Sequence, residues 1–542
     1  MNILAGIAAF VLAIVWRPPR PRRLGEGEHE RLSHALAGLA GKAADHDTPS
    51  AAPRRQHAVA PAGGGGAVGL RGSNSFAARS ACGDTCPVRL FSDGFMPDEV
   101  LWHPRHEAAQ KSLAELIAQL RACASVRDGY EFQQTLLDHV LAVEGDRNAF
   151  SQAVKRMRAG KGPQPGAPEP PSGRDRALAE TWQLEYGVCE RVARQFRCVG
   201  DALAWRVFGF DRRHIIALCL NEPPGVMAGK EGLAAEREVV DRAYREHGQL
   251  AILHDLTNCL RIGDVTVFGD DGSHETVEVK SDSRRRSPAQ HRRIKAAQEA
   301  IRSGAPLPGK DRKARLFDLD LPFRTHLDLL RLGTARAARD GIFAAKVPGK
   351  RVLLVSDFYG CNAQGWTQDG YQERLARQVS AARRRAGIGN GREWDVAATS
   401  LDSASRDPQR VPLAAYPLDP AFCARLIGDL AVFVVRTSGP DLADWVRDAG
   451  LNAEWVRPPG HGELAAGEVV MELHSTTSGP MYGTLRMELK RTLQMRRSAL
   501  DRYLIEMVEQ DTWIKGMRHM LTSPDGVGHP WPTYRGEDEV WI

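Results

Sequence analysis

The chain has 542 residues, more than one hydrophobic core usually supports, so we expect two or three packed units together with disordered sequence. Its hydrophobic fraction of 42% and charged fraction of 26% are typical of an ordinary soluble globular protein and exclude a chain of extreme composition. The net charge of +6 is compatible with a polyanionic partner but does not require one.

The N-terminus begins with an apolar run, Ile3 to Trp16, followed at once by an arginine- and proline-rich stretch. The run is shorter than the roughly 20 residues of a spanning helix, and no basic residue precedes it, which argues against a cleavable signal. Residues 1–16 are therefore either a marginal anchor, with the following arginines on the cytoplasmic side, or a stretch upstream of the true start of translation. Residues 17–97 are rich in Ala, Gly, Pro and Arg over most of their length and are predicted to be a disordered linker.

The cysteines are scattered along the chain, and their number is odd. Cys82 and Cys86 lie close together, but no second pair completes a zinc site, so we interpret them as loop cysteines. Free thiols are typical of a reducing compartment, and the sequence predicts a cytoplasmic protein.

Three regions follow the linker. Residues 98–227 show the periodicity of amphipathic helices, interrupted by a proline-rich break at 160–173. Residues 228–360 are predicted to contain a helix, a hairpin, a second helix starting at Pro288, and a buried strand at 351–357. Residues 361–542 are predicted to be mixed α/β, with a strand at 431–435 and a long basic helix near 485–517.

The hairpin contains the residues of greatest chemical interest. Its strands are predicted at about 259–268 and 274–281, and side chains alternate between two faces along each strand. Asp264 lies on the polar face of the first strand. Glu278 and Lys280 are two residues apart on the second strand, so they project to the same side.

The turn sets the register of this hairpin. A three-residue loop with a left-handed Gly272 pairs Gly269 with Ser273, which places Asp264 opposite Glu278. Opposed Cβ atoms lie about 4.5–5.5 Å apart. Two carboxylates at that separation repel each other unless a cation lies between them, and a hard divalent ion, Mg²⁺ or Mn²⁺, is the natural occupant.

The segment Gly263-Asp264, thirteen intervening residues, then Glu278-Val279-Lys280 resembles the signature of the PD-(D/E)XK nuclease superfamily, with Gly263 in place of the usual proline. The surrounding elements also resemble the restriction-endonuclease-like αββαβ core of that family. The resemblance covers about 130 residues and implies a Mg²⁺ site at Asp264 and Glu278, with Lys280 positioning the attacking water.

Many members of the family add an acidic residue on the preceding helix and a glutamine on the following one. Glu236 is the candidate acid because it faces the core side of its helix, whereas Glu238 falls on the polar face. Gln290 is the candidate glutamine because it lies one turn before Ile294. The alternative interpretation is a solvent-facing hairpin whose Glu278 and Lys280 are ordinary surface charges.

Basic residues follow the motif closely, and in a nuclease they would contact phosphates. They are Arg284, Arg285, Arg286, Arg292 and Arg293. A solvated helix and loop would explain each of them equally well.

His254-Asp255 and Ser356-Asp357 are further candidates for the cleft, although a turn and strand-end capping explain them without a catalytic role.

The resemblance thus implies a Mg²⁺-dependent nuclease core acting on DNA rather than RNA. Three alternatives stay open: a catalytically inactive nuclease fold that binds nucleic acid, one that binds a protein partner, and a membrane-tethered scaffold.

Overall fold

The computed structural model describes residues 102–159, 175–220, 222–269, 272–279, 288–307, 315–316, 324–388, 395–399, 409–456, 469–482, 485–522 and 528–529. The apolar N-terminal run, the linker and the break at 160–173 lie outside them, as do Cys82, Cys86, Lys280 and Arg284 to Arg286.

The first part of the described chain is helical, as the periodicity predicted. Its helices are α1 (Pro104–Ala122), α2 (Val126–Arg158), α3 (Asp175–Val207) and α4 (Arg212–Leu218). Helix α2 begins with a capping box in which the Ser125 hydroxyl accepts the Asp128 N–H and the Asp128 carboxylate accepts the Ser125 N–H. Apolar residues at helical spacing on α1 and α2 are fully buried, which confirms the predicted faces.

The hairpin lies in a three-stranded antiparallel sheet between two helices. The elements are α5 (Leu233–His247), β1 (Ala251–Leu253), β2 (Val265–Phe268), β3 (His274–Val277) and α6 (Pro288–Ser303), with strand order β1-β2-β3. Both helices were predicted, and the second begins at Pro288 as expected. The first strand was predicted too long, because residues 254–264 form a 3₁₀ turn and an irregular segment, and β1 was not predicted.

The predicted hairpin register is confirmed. Val265 pairs with Val277, and the Gly269 N–H donates to the Ser273 carbonyl at 2.8 Å. Gly272 has φ +77°, the left-handed conformation that such a loop requires.

A second, four-stranded antiparallel sheet contains the buried strand predicted at 351–357. Its order is β5 (Ile342–Val347), β6 (Arg351–Asp357), β8 (Ala431–Thr437), β7 (Asp395–Ala398). Strand β6 is buried along its whole length, but it pairs with β5 and β8 and not with the hairpin. The expectation that it closes one αββαβ sheet with the hairpin is therefore wrong, although the mixed α/β class is confirmed.

Helices precede, connect or follow the strands of this sheet. They are α7 (Leu327–Asp340), α8 (Phe358–Ala363), α9 (Gln368–Arg385), α10 (Pro420–Ile427) and α11 (Gly439–Asp448). Helix α7 comes before β5, α8 and α9 link β6 to β7, α10 lies between β7 and β8, and α11 follows β8. A two-residue strand, β4 (Arg315–Leu316), pairs in parallel with β12 (Gly528–His529).

The predicted basic helix near 485–517 is wrong in its first third. That part is a strand, and the elements here are β9 (Asn452–Trp455), β10 (Val469–Tyr482), β11 (Leu485–Arg496), α12 (Arg497–Ile505) and α13 (Gln510–Thr522). Strand β11 pairs with β10, and its apolar residues Leu485, Met487 and Leu489 follow the two-residue period of a strand. Helix begins only at Arg497, and residues 506–509 divide it into α12 and α13, so the prediction of one continuous helix is also wrong.

The helical N-terminal part and the C-terminal part share one hydrophobic core. Buried ion pairs also join them: Arg191 with Asp429, and Arg212 with Glu506 at 2.7 Å. Helices α1 to α4 are thus a packed support for the later elements.

Within the described ranges, no helix is both long enough and apolar enough to cross a membrane. The cysteines of these ranges are free thiols, as predicted.

Candidate functional site

Asp264 lies beside Glu278 at the end of the hairpin ladder. Regular pairing stops at Val265, and the Asp264 N–H then donates to the Val277 carbonyl at 2.9 Å. The Asp264 Oδ2 atom accepts the Val279 N–H at 2.8 Å. Because Asp264 contacts both neighbours of Glu278, the two acidic residues lie side by side, as the register predicted.

The backbone conformation at position 263 explains why this chain has glycine where the family motif has proline. The φ of Gly263 is +83°, which a proline ring cannot adopt and which other side chains rarely adopt. A Cβ atom at this position would also overlap Cγ2 of Thr276. The chain therefore reaches Asp264 through a tight bend that only glycine allows.

We expect Gly263→Ala to lower the free energy of unfolding by about 2–4 kcal/mol, from left-handed strain plus overpacking. Gly272→Ala is the matched control, since Gly272 is also left-handed but has open space around its Cβ position. This control should cost only about 1–2 kcal/mol, the strain alone. Urea denaturation of both variants measures the difference, and equal losses would contradict the close-packing explanation.

Helix α5 presents Glu236 to the hairpin. The Glu236 side chain is 3% exposed and lies on the face that packs against β1 and β2. Glu238 is 69% exposed and pairs with Arg242 on the same helix. The predicted assignment of Glu236 to the buried face and Glu238 to the polar face is confirmed.

A lysine that the sequence did not single out lies among the carboxylates. The Lys230 Nζ atom is 2.6 Å from Glu236 Oε1 and 2.7 Å from Asp255 Oδ2. Asp255 belongs to the 3₁₀ turn after β1, as the structural interpretation of His254-Asp255 expected. The same turn brings Asp255 into contact with Lys230. Glu236, Asp255 and Lys230 thus form a charged group next to Asp264.

The pKa shifts in this group reflect burial and mutual charge. Burial raises the pKa of Glu236, Lys230 opposes that rise, and the charges of Asp264 and Asp255 add to it. Burial alone would lower the pKa of Lys230, but its bonds to Asp255 and Glu236 outweigh burial and raise the pKa to about 12. Burial disfavours ionisation of Asp255, yet Lys230 keeps its pKa below the usual value. Lys230 is therefore a permanent cation at neutral pH.

A buried ion pair anchors the segment that holds Lys230. The Glu144 carboxylate accepts an N–H from Arg197 at 2.6 Å and the backbone N–H groups of Met227 and Ala228 at 2.7 and 2.9 Å. Arg197 in turn donates to the carbonyl of Asp255 at 2.8 Å. Helices α2 and α3 thereby fix both partners of the Lys230–Asp255 contact.

The face of the hairpin that includes Thr266 and Thr276 is buried. The two hydroxyls are 2.8 Å apart, and Thr266 Oγ1 is 2.7 Å from His254 Nε2. Burial lowers the pKa of His254 to about 3, so the ring is neutral. His254 is thus a structural residue behind the acidic cluster.

Helix α6 packs against β3 and α4. Gln290 is half-buried and lies one turn before the buried Ile294, whereas Arg292 and Arg293 are exposed. The predicted inward direction of Gln290 is compatible with this placement, and the two arginines are accessible to a polyanion.

Asp357 is not part of this site. It caps α8 by accepting the Tyr359 N–H at 3.1 Å and lies 3.2 Å from Arg425. Strand-end capping, the structural alternative for this residue, is confirmed.

The donor set of the hairpin is compatible with Mg²⁺ or Mn²⁺. In the part of the chain that the structure describes, no group of three or more His, Cys, Asp and Glu side chains is arranged to hold a metal ion. Mg²⁺, however, usually takes one or two protein carboxylates and fills its other positions with water and substrate phosphate. Asp264 and Glu278 supply two neighbouring carboxylates of this kind.

Comparisons of this chain with protein-family models, with curated proteins and with solved structures give no match.

Proposed function

We propose that this chain is a metal-dependent nuclease whose core is built from α5, the sheet β1-β2-β3 and α6, a restriction-endonuclease-like arrangement in which β6 takes no part. The observation that supports it best is the placement of Asp264 beside Glu278 at the end of the hairpin, with Glu236 buried behind them. The reaction is hydrolysis of a phosphodiester bond, and DNA is the expected substrate.

Each residue has a distinct role in this proposal. Asp264 and Glu278 would hold the metal ion, which when bound would supply Lewis-acid chemistry for the phosphate and the attacking water. Lys280 positions the attacking water or offsets the charge that develops on the phosphate. Glu236 and Gln290 orient these groups from α5 and α6.

The arginines after the motif extend the site toward the nucleic acid. Arg292 and Arg293 on α6, together with Arg284, Arg285 and Arg286 before it, contact phosphates away from the scissile bond. Such contacts are electrostatic and independent of sequence, so binding weakens as salt rises.

The test is cleavage by the purified full-length chain. Supercoiled, linear and single-stranded DNA, and RNA, are each incubated with Mg²⁺, Mn²⁺ or EDTA. We expect DNA to be cut with either metal and to stay intact in EDTA. Preferential cutting of RNA would correct the substrate, and metal-independent cutting would contradict the mechanism.

A second candidate is a catalytically inactive nuclease fold that binds nucleic acid or a protein partner. One observation favours it: the Lys230 ammonium already balances two carboxylates of the cluster, which lessens the need for a metal ion there. Retained DNA binding in a mobility-shift experiment, without cutting of any substrate, would support this candidate over the nuclease.

A further inference from the structure

We propose that Lys230 is a phosphate-binding residue of the same site, a second lysine that engages the scissile or adjacent phosphodiester of the nucleic acid. This inference rests on the proposed function and adds a substrate contact that the motif does not contain.

The ion pairs of Lys230 leave one N–H of its ammonium group for a ligand. An ammonium has three N–H groups, and the bonds to Glu236 and Asp255 account for two. The Lys230 side chain is 30% exposed, whereas that of Glu236 is 3% exposed. Glu236 therefore contacts the ammonium group from the buried side, and the more exposed lysine keeps a third N–H that its contacts with Glu236 and Asp255 do not use.

The loop that holds Lys230 is rigidly anchored. The Lys230 N–H donates to the Met227 carbonyl at 3.0 Å, and Glu144 accepts the N–H groups of Met227 and Ala228. A lysine side chain loses about 1.5–2 kcal/mol of conformational freedom when it is fixed. Because folding has already fixed Lys230, a phosphate that binds it meets a preorganised donor.

The acidic residues around Lys230 make a cation necessary if a phosphodiester is to bind at this site. Asp264, Glu278, Glu236 and Asp255 are acidic, and a phosphodiester approaching them is repelled unless cations face it. Lys230 is the cation that lies in contact with two of these residues. The raised pKa of Lys230 keeps it protonated over the whole neutral range.

The test measures how DNA affinity depends on salt. Binding of a short fluorescent DNA duplex to the full-length chain is followed by anisotropy in Ca²⁺, which takes the same oxygen ligands in a looser geometry. Each phosphate contact contributes about 0.9 to the slope of log affinity against log salt. We expect Lys230→Met to make this slope shallower by that amount. When salt rises from about 50 to about 200 mM, the factor by which the variant loses affinity should therefore be about 3.5 times smaller than the factor for wild type.

Lys350→Met is the matched control, because Lys350 also pairs with a buried carboxylate, that of Asp441 at 3.3 Å, in the turn between β5 and β6. Its slope should equal that of wild type. If Lys230→Met does not fold, the double variant Lys230→Gln, Glu236→Gln is compared with Glu236→Gln alone. The double variant has two neutral amides in place of the ion pair, so it leaves no buried Glu236 carboxylate next to an apolar side chain. The same fall in slope is expected.

The outcomes separate the two proposals. An unchanged slope in a folded Lys230 variant, with wild type cutting DNA, overturns the role of Lys230 and leaves the nuclease in place. A wild type that binds with the expected salt dependence but does not cut overturns the nuclease. A lower slope in the variant then makes Lys230 a phosphate contact of the catalytically inactive nuclease fold that binds nucleic acid. Absence of DNA binding by wild type overturns both.

Discussion

Asp264→Asn is expected to reduce Mg²⁺-dependent DNA cleavage by about 10²–10³-fold, because a bound metal ion contributes several kcal/mol to transition-state stabilisation and each 1.36 kcal/mol is tenfold in rate. The amide is a much weaker ligand for a hard cation than the carboxylate is. The fold should survive, since the amide oxygen can still accept the Val279 N–H that Asp264 accepts at 2.8 Å. Initial rates on supercoiled DNA measure the effect.

Glu238→Gln is the matched control for this experiment. Glu238 is an exposed carboxylate on α5, on the face away from the hairpin, so its removal changes the charge without touching the site. We expect its rate to be within twofold of wild type, on the order expected for an exposed charge. Cleavage by Asp264→Asn at the wild-type rate would mean that the hairpin is not the site.

The second large effect concerns the buried ion pair below the site. We expect Glu144→Gln to lower the free energy of unfolding by about 3–5 kcal/mol, because it leaves Arg197 as an uncompensated buried charge. The amide also has only one acceptor for three N–H groups, those of Arg197, Met227 and Ala228. Urea denaturation followed by circular dichroism measures the loss.

Glu131→Gln provides the comparison, because the Arg127–Glu131 pair has a similar N–O distance of 2.7 Å but is exposed. Its cost should stay within about 0.5 kcal/mol. A similar, small loss in both variants would contradict the view that the Glu144–Arg197 pair anchors the Lys230 loop.

The hairpin could be predicted from the sequence because each of its constraints is local. Gly272 fixes the turn, and the alternation of valines with polar residues then fixes which residues face each other. The face of α5 that contains Glu236 follows from helical periodicity in the same way. These patterns need no information from distant parts of the chain.

The pairing of β6 could not be predicted by the same means. The apolar run inside Arg351–Asp357 indicates a strand that is buried on both faces but does not indicate which strands lie beside it. Its partners are β5, which directly precedes it, and β8, which lies far along the chain, so a local pattern cannot identify the second of them. Strand β11 was misassigned for another reason: good helix formers between its apolar residues outweighed their two-residue period.

Lys230 was missed because a loop has no periodicity that shows where a side chain points. Its position depends on Glu144 and Arg197, which lie on helices α2 and α3 and are distant in sequence. The charged group around Glu236 is thus a product of tertiary packing, whereas the Asp264–Glu278 pair is a product of the hairpin itself.

The most direct test of the nuclease assignment is reversible metal dependence in one preparation of the full-length wild type. Supercoiled DNA is incubated with Mg²⁺, then with EDTA in excess, then with Mg²⁺ restored. We expect cutting in the first and third conditions and none in the second, with Asp264→Asn nearly inactive throughout. Cutting that continues in EDTA, or that Asp264→Asn retains at the wild-type rate, would contradict it.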